Sequence, residues 1–534
     1  MAKKNFKYYP REEVNSIVEI AERSKSLYGN KVVYIYKEKK QRVEKTFNDL
    51  VSDSKKLAQY LMKQNLEKGH IALIGGSSYQ YIVSYYAAMY AGLVIVPLDK
   101  ELSFEDVYEQ MEKAEADFFL YDKTYRDYAE LVTEKTNGAM GMFCINNPVE
   151  TEGEDLPFPE VDPDKLSTII FTSGTTGKGK GVMLTQRNIA RNVSHGLTHV
   201  NFFEDDVSLS ILPMNHAYEC LGNLFAAVYV GATVCISSSL RNLAKELIEY
   251  KPTVLFAVPL VPQTLIDKVW STAKKEGKDG KLKFGIKLCN IVKKFGIDLT
   301  GKILGDVKAA FGGRLRLIVA GGAPVSQLLI NSCNDFGIKV VQGYGLSECS
   351  PLLAVNFDYL QKPDSCGKVI PGCEMKVVDG ELWAKGISVS KGYYNDPENT
   401  AETFVDGWFK TGDLGHIDED NFVFITGRKK NLIILGNGKN VAPEGIEDDI
   451  YKAIPYISEV VILGVDDKLC AAVYIDEESG ATEQQLREDI AKFNKDMPVY
   501  KQIANIVVSE KPFPRTTTKK IIRRKVEEFV ANQK

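Results

Sequence analysis

Nine short runs rich in β-branched and aromatic residues recur along this chain, with helical patterns between most of them. KVVYIY, HIALIG, LVIVPL, TIIF, VSLSIL, ATVCI, TVLFAV, RLIVAGG and KVVQGYG read as strands, several of them apolar throughout. A strand that is apolar on both faces must be covered on both, and helices between strands supply that cover. The expected fold class is therefore α/β, with a large N-terminal domain of sheets flanked by helices. Between residues 380 and 430, GELWAKG, GWFKTGDLG, NFVFITG and NLIILGNGKN read as short strands with glycine turns, a β-rich subdomain. After Lys430 the pattern becomes a small α+β unit. EGIEDDIYKAI and TEQQLREDIAKFNK read as its helices, VVILGV and CAAVYID as its strands. A boundary near Gly427–Lys430 gives domains 1–427 and 428–534, the second a comfortable size for one domain.

Several function classes are disfavoured at once. The 534 residues are 44% hydrophobic and 26% charged with net charge −4, an ordinary soluble composition that speaks against a nucleic-acid binder. Nine cysteines without a CxxC pair indicate neither a zinc knuckle nor a disulfide framework. Their odd count, and MAKKNFKYYP without an apolar stretch behind it, lead us to expect a cytoplasmic setting. The segment 81-YIVSYYAAMYAGLVIVPLD-99 is interrupted by Ser84, by tyrosines, Gly92 and Pro97. It reads as a buried helix through Ala91, a glycine turn and a buried strand rather than a membrane span.

The stretch 168-TIIFTSGTTGKGKGVMLTQRN-188 almost spells a Walker A loop, but Gly181 stands where that motif needs a hydroxyl for Mg²⁺. VMLT after Gly181 looks like another strand, and the helix starts only after Thr185, a plausible N-cap. Strand, Gly/Thr/Ser loop, strand is hairpin geometry. Its glycines can still offer backbone N–H groups to phosphates. Thr172, Ser173, Thr175 and Thr176 add hydroxyls, and Lys178 and Lys180 add positive charge.

FTSGTTGKGKGV resembles the signature loop of the adenylate-forming superfamily: acyl-CoA synthetases, luciferases and peptide-synthetase adenylation domains. The family usually has proline where this chain has Gly179. LPMNHAYE (212–219), GGAP (321–324), QGYGLSE (342–348), GELWAKG (380–386), GWFKTGD (407–413), GRKKN (427–431) and PRTTTKK (514–520) match further family motifs in order. The resemblance implies ATP-dependent activation of a carboxylic acid to an acyl-adenylate with release of pyrophosphate, then transfer of the acyl group to a thiol, usually that of coenzyme A. It also implies that the small C-terminal domain is mobile.

Residue roles follow from the same resemblance. Thr172, Ser173, Gly174, Thr175, Thr176, Gly177 and Lys180 would grip the β- and γ-phosphates. Glu348 would be the Mg²⁺ ligand missing from the loop, and Ser347, where the family generally has threonine, would reach the α-phosphate. Tyr344 would stack on adenine, with Gly322, Ala323, Gly343 and Gly345 allowing close approach. Asp413 would accept the ribose hydroxyls, supported by Arg428. Lys520 would be the catalytic lysine, although Lys519 occupies the usual glycine position before it and leaves the register between the two open. Lys430 falls at the hinge position. Gly436 and Gly438, in GNGKN, and His216 would approach the thiol channel. Taken without the family, Glu348 and Asp413 are compatible with surface acids, and Lys519 to Lys525 with a solvated charged face.

The acid itself is less constrained. Residues 270–313 are lysine-rich with apolar residues at helical spacing, and they resemble the insertion of long-chain fatty acyl-CoA synthetases. A medium or long fatty acid is the expected substrate. Such a stretch can touch an anionic membrane or serve as a solvated cover over an acyl tunnel. A carrier-protein phosphopantetheine as acceptor, and a non-catalytic nucleotide-binding protein on the same scaffold, remain the alternatives.

Overall fold

Strand edges need hydrogen-bond partners and apolar faces need cover, and the chain divides into two compact units. The computed structural model describes residues 6–150, 153–172, 179–436, 439–475, 479–516 and 520–533. The first unit comprises Met1–Glu374 and Ala384–Phe409, the second Met375–Trp383 and Lys410–Lys534.

Two sheets build the first unit. One has six strands in the order Gly141–Cys144, Phe118–Tyr121, His70–Ile74, Val94–Pro97, Leu166–Thr172 and Lys180–Thr185. Its strands run parallel except for the last pair, which is antiparallel. In the other sheet, Lys339–Gly345, Leu317–Ala320, Val254–Ala257, Val207–Ser210, Thr233–Ile236 and Val32–Glu38 lie side by side, all parallel. Antiparallel strands Leu352–Val355 and Gln41–Thr46 flank that run. All nine runs contain strands. His70–Ile74 and Leu317–Ala320 are buried at every position, as parallel strands covered on both faces must be.

The apolar segment after residue 79 folds as expected. Helix Tyr79–Tyr90 buries all its residues but Gln80, Gly92 turns the chain at φ +68°, and strand Val94–Pro97 follows. Among the described residues, no helix is long and apolar enough to cross a membrane. Thr185 caps helix Gln186–Gly196 in a reciprocal box with Asn188, a device worth ~1 kcal/mol.

Beyond strand Val207–Ser210, the chain forms the short helix Ala217–Glu219 and a widened helical turn, Cys220–Ala226. Gly222 lets this turn lie on Phe256, because a Cβ there would stand 2.7 Å from the ring. Underneath is a buried polar knot. Glu219 Oε1 accepts from Ser210 Oγ and Asn223 Nδ2, and Ser208 Oγ donates to Asn223 Oδ1. The knot ties the His216 turn to the sheet.

Strands Cys373–Val378, Glu381–Gly386, Trp408–Ile417 and Phe422–Arg428, which carry the first part of the second unit, lie in that order. A three-stranded sheet of Ile457–Val465, Lys468–Ile475 and Ile503–Ser509 carries helices Pro443–Ala453, Glu483–Lys495 and Arg523–Ala531. The helices and strands expected after Lys430 are all present. Strand Ile503–Ser509 and helix Arg523–Ala531 are additions that the sequence reading missed.

Glu219 is fully buried, and burial pushes its pKa from 4.5 up to about 7 against the opposing hydrogen bonds from Ser210 and Asn223. A raised folded-state pKa contributes stability that is complete below about pH 4.5 and is lost as pH rises towards about 7, up to about 3 kcal/mol. Glu219→Gln keeps an acceptor without the proton equilibrium. Its unfolding midpoint relative to the parent should therefore rise between pH 5 and pH 8; a pH-independent difference would show that folding does not raise the pKa of Glu219.

Candidate active site

The glycine loop hangs from a hairpin whose roots are fixed. Strands Leu166–Thr172 and Lys180–Thr185 pair antiparallel, with Thr172 opposite Lys180. Ser173, Gly174, Thr175, Thr176, Gly177 and Lys178 lie outside the described residues. At the root, Lys180 Nζ donates to Asn399 Oδ1 at 2.5 Å and stands 5.0 Å from the centroid of the Tyr393 ring. Asp396 holds that asparagine by accepting from its Nδ2.

Tyr393 connects this root to a distant part of the sequence. Residues 391–394 run along strand Lys180–Thr185, with Met183 N donating to Gly392 O and Tyr394 N to Gly181 O. The Tyr393 hydroxyl donates to Glu348 Oε1 at 2.9 Å, and Ser390 N donates to the Glu348 carbonyl at 2.8 Å. Lys180 and Glu348 thus touch the same side chain. Burial first, then the Glu348 carboxylate, raise the pKa of Tyr393 well above the ordinary phenol value, so it stays a donor. Sequence reading missed this residue; its signal was KGYYND, an aromatic pair between Gly392 and an Asn-Asp turn.

Other expected residues cluster at the carboxyl ends of neighbouring parallel strands, where open α/β sheets place ligands. Gly322 (φ +80°) and Ala323 follow strand Leu317–Ala320, and His216 lies shortly after Val207–Ser210. Tyr344, 8% exposed, closes strand Lys339–Gly345 between Gly343 and Gly345. No side chain fits at Gly345, since a Cβ would stand 1.7 Å from the Pro351 carbonyl oxygen. Half-buried Ser347 and buried Glu348 follow in the turn Ser347–Cys349.

The second unit gathers the remaining residues. Asp413 pairs in register with Arg428 across strands Trp408–Ile417 and Phe422–Arg428. It is 2% exposed, and its Oδ1 accepts from Arg428 Nε at 2.7 Å. Buried Glu381 braces the same place, accepting from Gly412 N at 3.0 Å and Lys429 Nζ at 3.0 Å. Lys520 joins the cluster. Crowding by protein atoms lowers its pKa, the charges of Arg428 and Lys430 lower it further, and Asp413 opposes them. Lys430 is shifted the same way, by burial first and then by Arg428. Lys519 and Gly438 lie outside the described residues, while Gly436 faces Asp467.

A second missed acid positions the lysine. Thr516 N donates to Lys520 O at 2.8 Å, and Arg515 bridges Ile521, so the segment folds back on itself. Glu459, buried on strand Ile457–Val465, accepts from Phe513 N at 2.6 Å and Arg515 Nη2 at 2.7 Å. A lone acid in the apolar run SEVVILGV was its signal.

Glycine turns at the strand ends of the first unit and, within the second, an acid, an arginine and two lysines fit an adenylate-forming enzyme. The chain belongs to the AMP-binding enzyme family: that family's description matches residues 21–394, and the AMP-binding enzyme C-terminal domain matches residues 430–533. It is 32% identical over 432 residues to the long-chain-fatty-acid–CoA ligase FadD15 of Mycobacterium bovis, covering 74% of this chain and 70% of that protein. It is 28% identical over 505 residues to a 2-succinylbenzoate–CoA ligase of Bacillus cereus, covering 91% and 93%. The fold is shared with O-succinylbenzoate coenzyme A synthetase (MenE) from Bacillus subtilis in complex with AMP, at TM-score 0.75 and 23% identity over 95% of this chain and 97% of that one. An anthranilate CoA ligase, AuaEII, in complex with anthranoyl-AMP gives TM-score 0.81 at 19% identity, covering 99% of each chain.

Tyr393→Phe removes the hydroxyl from a buried carboxylate and should cost about 1–3 kcal/mol in urea unfolding. Tyr394→Phe, whose hydroxyl meets the half-exposed Glu115, should shift the midpoint less. Equal midpoints for the two variants would show that the Tyr393–Glu348 bond does not hold the junction.

Proposed function

We propose that this enzyme activates a carboxylic acid with ATP to an acyl-adenylate and then forms the thioester of coenzyme A. The acid needs no base, since a carboxylic acid with pKa near ~4–5 is ionised at neutral pH. The difficulty is to bring two anions together and to hold the charge that develops on the phosphoryl oxygens. The observation that carries this reading is the junction of Lys180 and Glu348 on Tyr393, a cation from the glycine loop beside a hard carboxylate.

Each residue has a role in this reading. Thr172 to Gly177 and Lys180 hold the β- and γ-phosphates, and Ser347 reaches the α-phosphate. Tyr344 stacks on the base, with Gly322, Ala323, Gly343 and Gly345 leaving room for it. Asp413 accepts from the ribose, with Arg428 fixing its carboxylate. Glu348 fits Mg²⁺ that arrives with the nucleotide. Among the described residues no cluster of three metal-ligating side chains occurs, and Mg²⁺ commonly takes one or two carboxylates plus substrate phosphates. When bound, the ion neutralises phosphate charge. Lys520 brings its ammonium to the carboxylate and α-phosphate. Residues 428–534 act as the mobile lid with Lys430 as hinge, and Gly436, Gly438 and His216 serve the thiol step.

A medium or long fatty acid is the proposed substrate, supported by the likeness to FadD15 and by the helices built from residues 260–310. The coverage by 2-succinylbenzoate–CoA ligases favours a second reading, an aryl acid. Pyrophosphate release across a panel of fatty and aryl acids, with and without coenzyme A, separates the two. No release with any acid would exclude both and leave a nucleotide-binding protein. Release without thioester would point to a carrier-protein phosphopantetheine as acceptor.

The two half-reactions should separate by mutation. Lys520→Ala is expected to slow adenylate formation by at least about a hundredfold, while thioester formation from preformed adenylate stays near parental rates. Lys430→Pro should show the reverse. Equal losses in both halves for Lys520→Ala would reject its role.

A further inference from the structure

The helix Asp279–Lys293 turns one face inward and leaves the other without cover. Leu282, Gly285 and Cys289 are buried, and Ile286 packs beside them against a core that includes Trp270 and Phe336. On the opposite side, Phe284, Leu288 and Ile291 are 67%, 38% and 47% exposed. The next turn adds Phe295 at 79% and Ile297 at 53%. The steps from Phe284 through Leu288 to Ile291 follow the helical repeat, so the three form a single stripe, and Phe295 follows in the turn just beyond the helix.

Charge borders the stripe. At helical spacing, Lys283, Lys287 and Lys294 lie along one margin and Lys281 along the other, all exposed. Residues 270–297 hold eight lysines and two acids, in a chain whose net charge is −4. Both acids are engaged: Asp279 lies 3.6 Å from Lys283, and Glu276 lies 2.7 Å from Lys278. Like charge on each copy opposes self-pairing, because a two-fold interface sets this patch against itself.

We propose that this face is a docking surface for an anionic phospholipid bilayer, its phenylalanines entering the headgroup boundary and its lysines meeting lipid phosphates. An exposed apolar stripe bordered by lysines is the composition of helices that lie in that boundary. Each lysine near an anionic leaflet adds attraction that falls away within a Debye length. The inference is independent of which acid is activated, since binding is measured without ATP or acid.

The test is flotation of the full chain with vesicles of phosphatidylcholine alone or containing about a third phosphatidylglycerol. Binding should require phosphatidylglycerol and weaken between about 0.1 M and about 0.5 M salt. The double variant Phe284→Ser/Phe295→Ser, and separately Lys281→Glu/Lys287→Glu/Lys294→Glu, should each lower partitioning by about tenfold or more. Their thermal midpoints should match the parent, since every changed side chain is exposed. Absent binding by the parent, binding indifferent to phosphatidylglycerol, or unchanged partitioning of the phenylalanine variant would each overturn the proposal. So would a parental dimer, seen by sedimentation, that this variant turns into monomer, because the patch would then belong to a second copy.

Discussion

The hydroxyl and ring of Tyr393 join the root of the glycine loop to the acid at the end of the other sheet. The hydroxyl donates to a carboxylate that is almost withdrawn from water, and the ring sits beside the ammonium of Lys180. A buried acid without a donor is costly, and a lysine at the base of a loop has many other places to go. One side chain removes both freedoms. Residues 391–394 can hold the ring in place because they add to strand Lys180–Thr185 through backbone hydrogen bonds. The six-stranded sheet thereby sets where Glu348 points, although Glu348 itself follows a strand of the other sheet.

The second unit solves a related problem with different parts. Asp413 is almost completely buried and takes a charge-assisted bond from Arg428 directly across the ladder. Glu381 stabilises the turn before it from one side and the basic run after it from the other. Three cations, Arg428, Lys430 and Lys520, then share the field of one acid, and the pKa of each lysine falls below the ordinary value. A cluster with surplus positive charge and partial burial is chemically suited to an anion.

Much of the fold was legible in the residues because the strands of the first unit are apolar on both faces. His70–Ile74 and Leu317–Ala320 could hardly be anything else once their lengths were read. The Thr185 cap was legible for the same local reason. Strand Ile503–Ser509 was harder, since it is mostly half-buried or exposed and its side chains show little contrast. Helix Arg523–Ala531 hid inside a run of charge, although Val526 and Val530 share its buried face. At the site, the motif residues were visible one by one. Their braces were not: Tyr393, Glu381 and Glu459 act through partners far away in sequence, and nothing local announces a partner.

Glu459 has a mechanical consequence. Because one acid on a sheet strand takes both the Phe513 amide and the Arg515 guanidinium, the hairpin bearing Lys520 is bolted to that strand at its base. An ammonium on a slack tether would have to be searched for afresh after every displacement. Here the backbone that carries the charge is tied, through Phe513 and Arg515, to a strand inside the sheet.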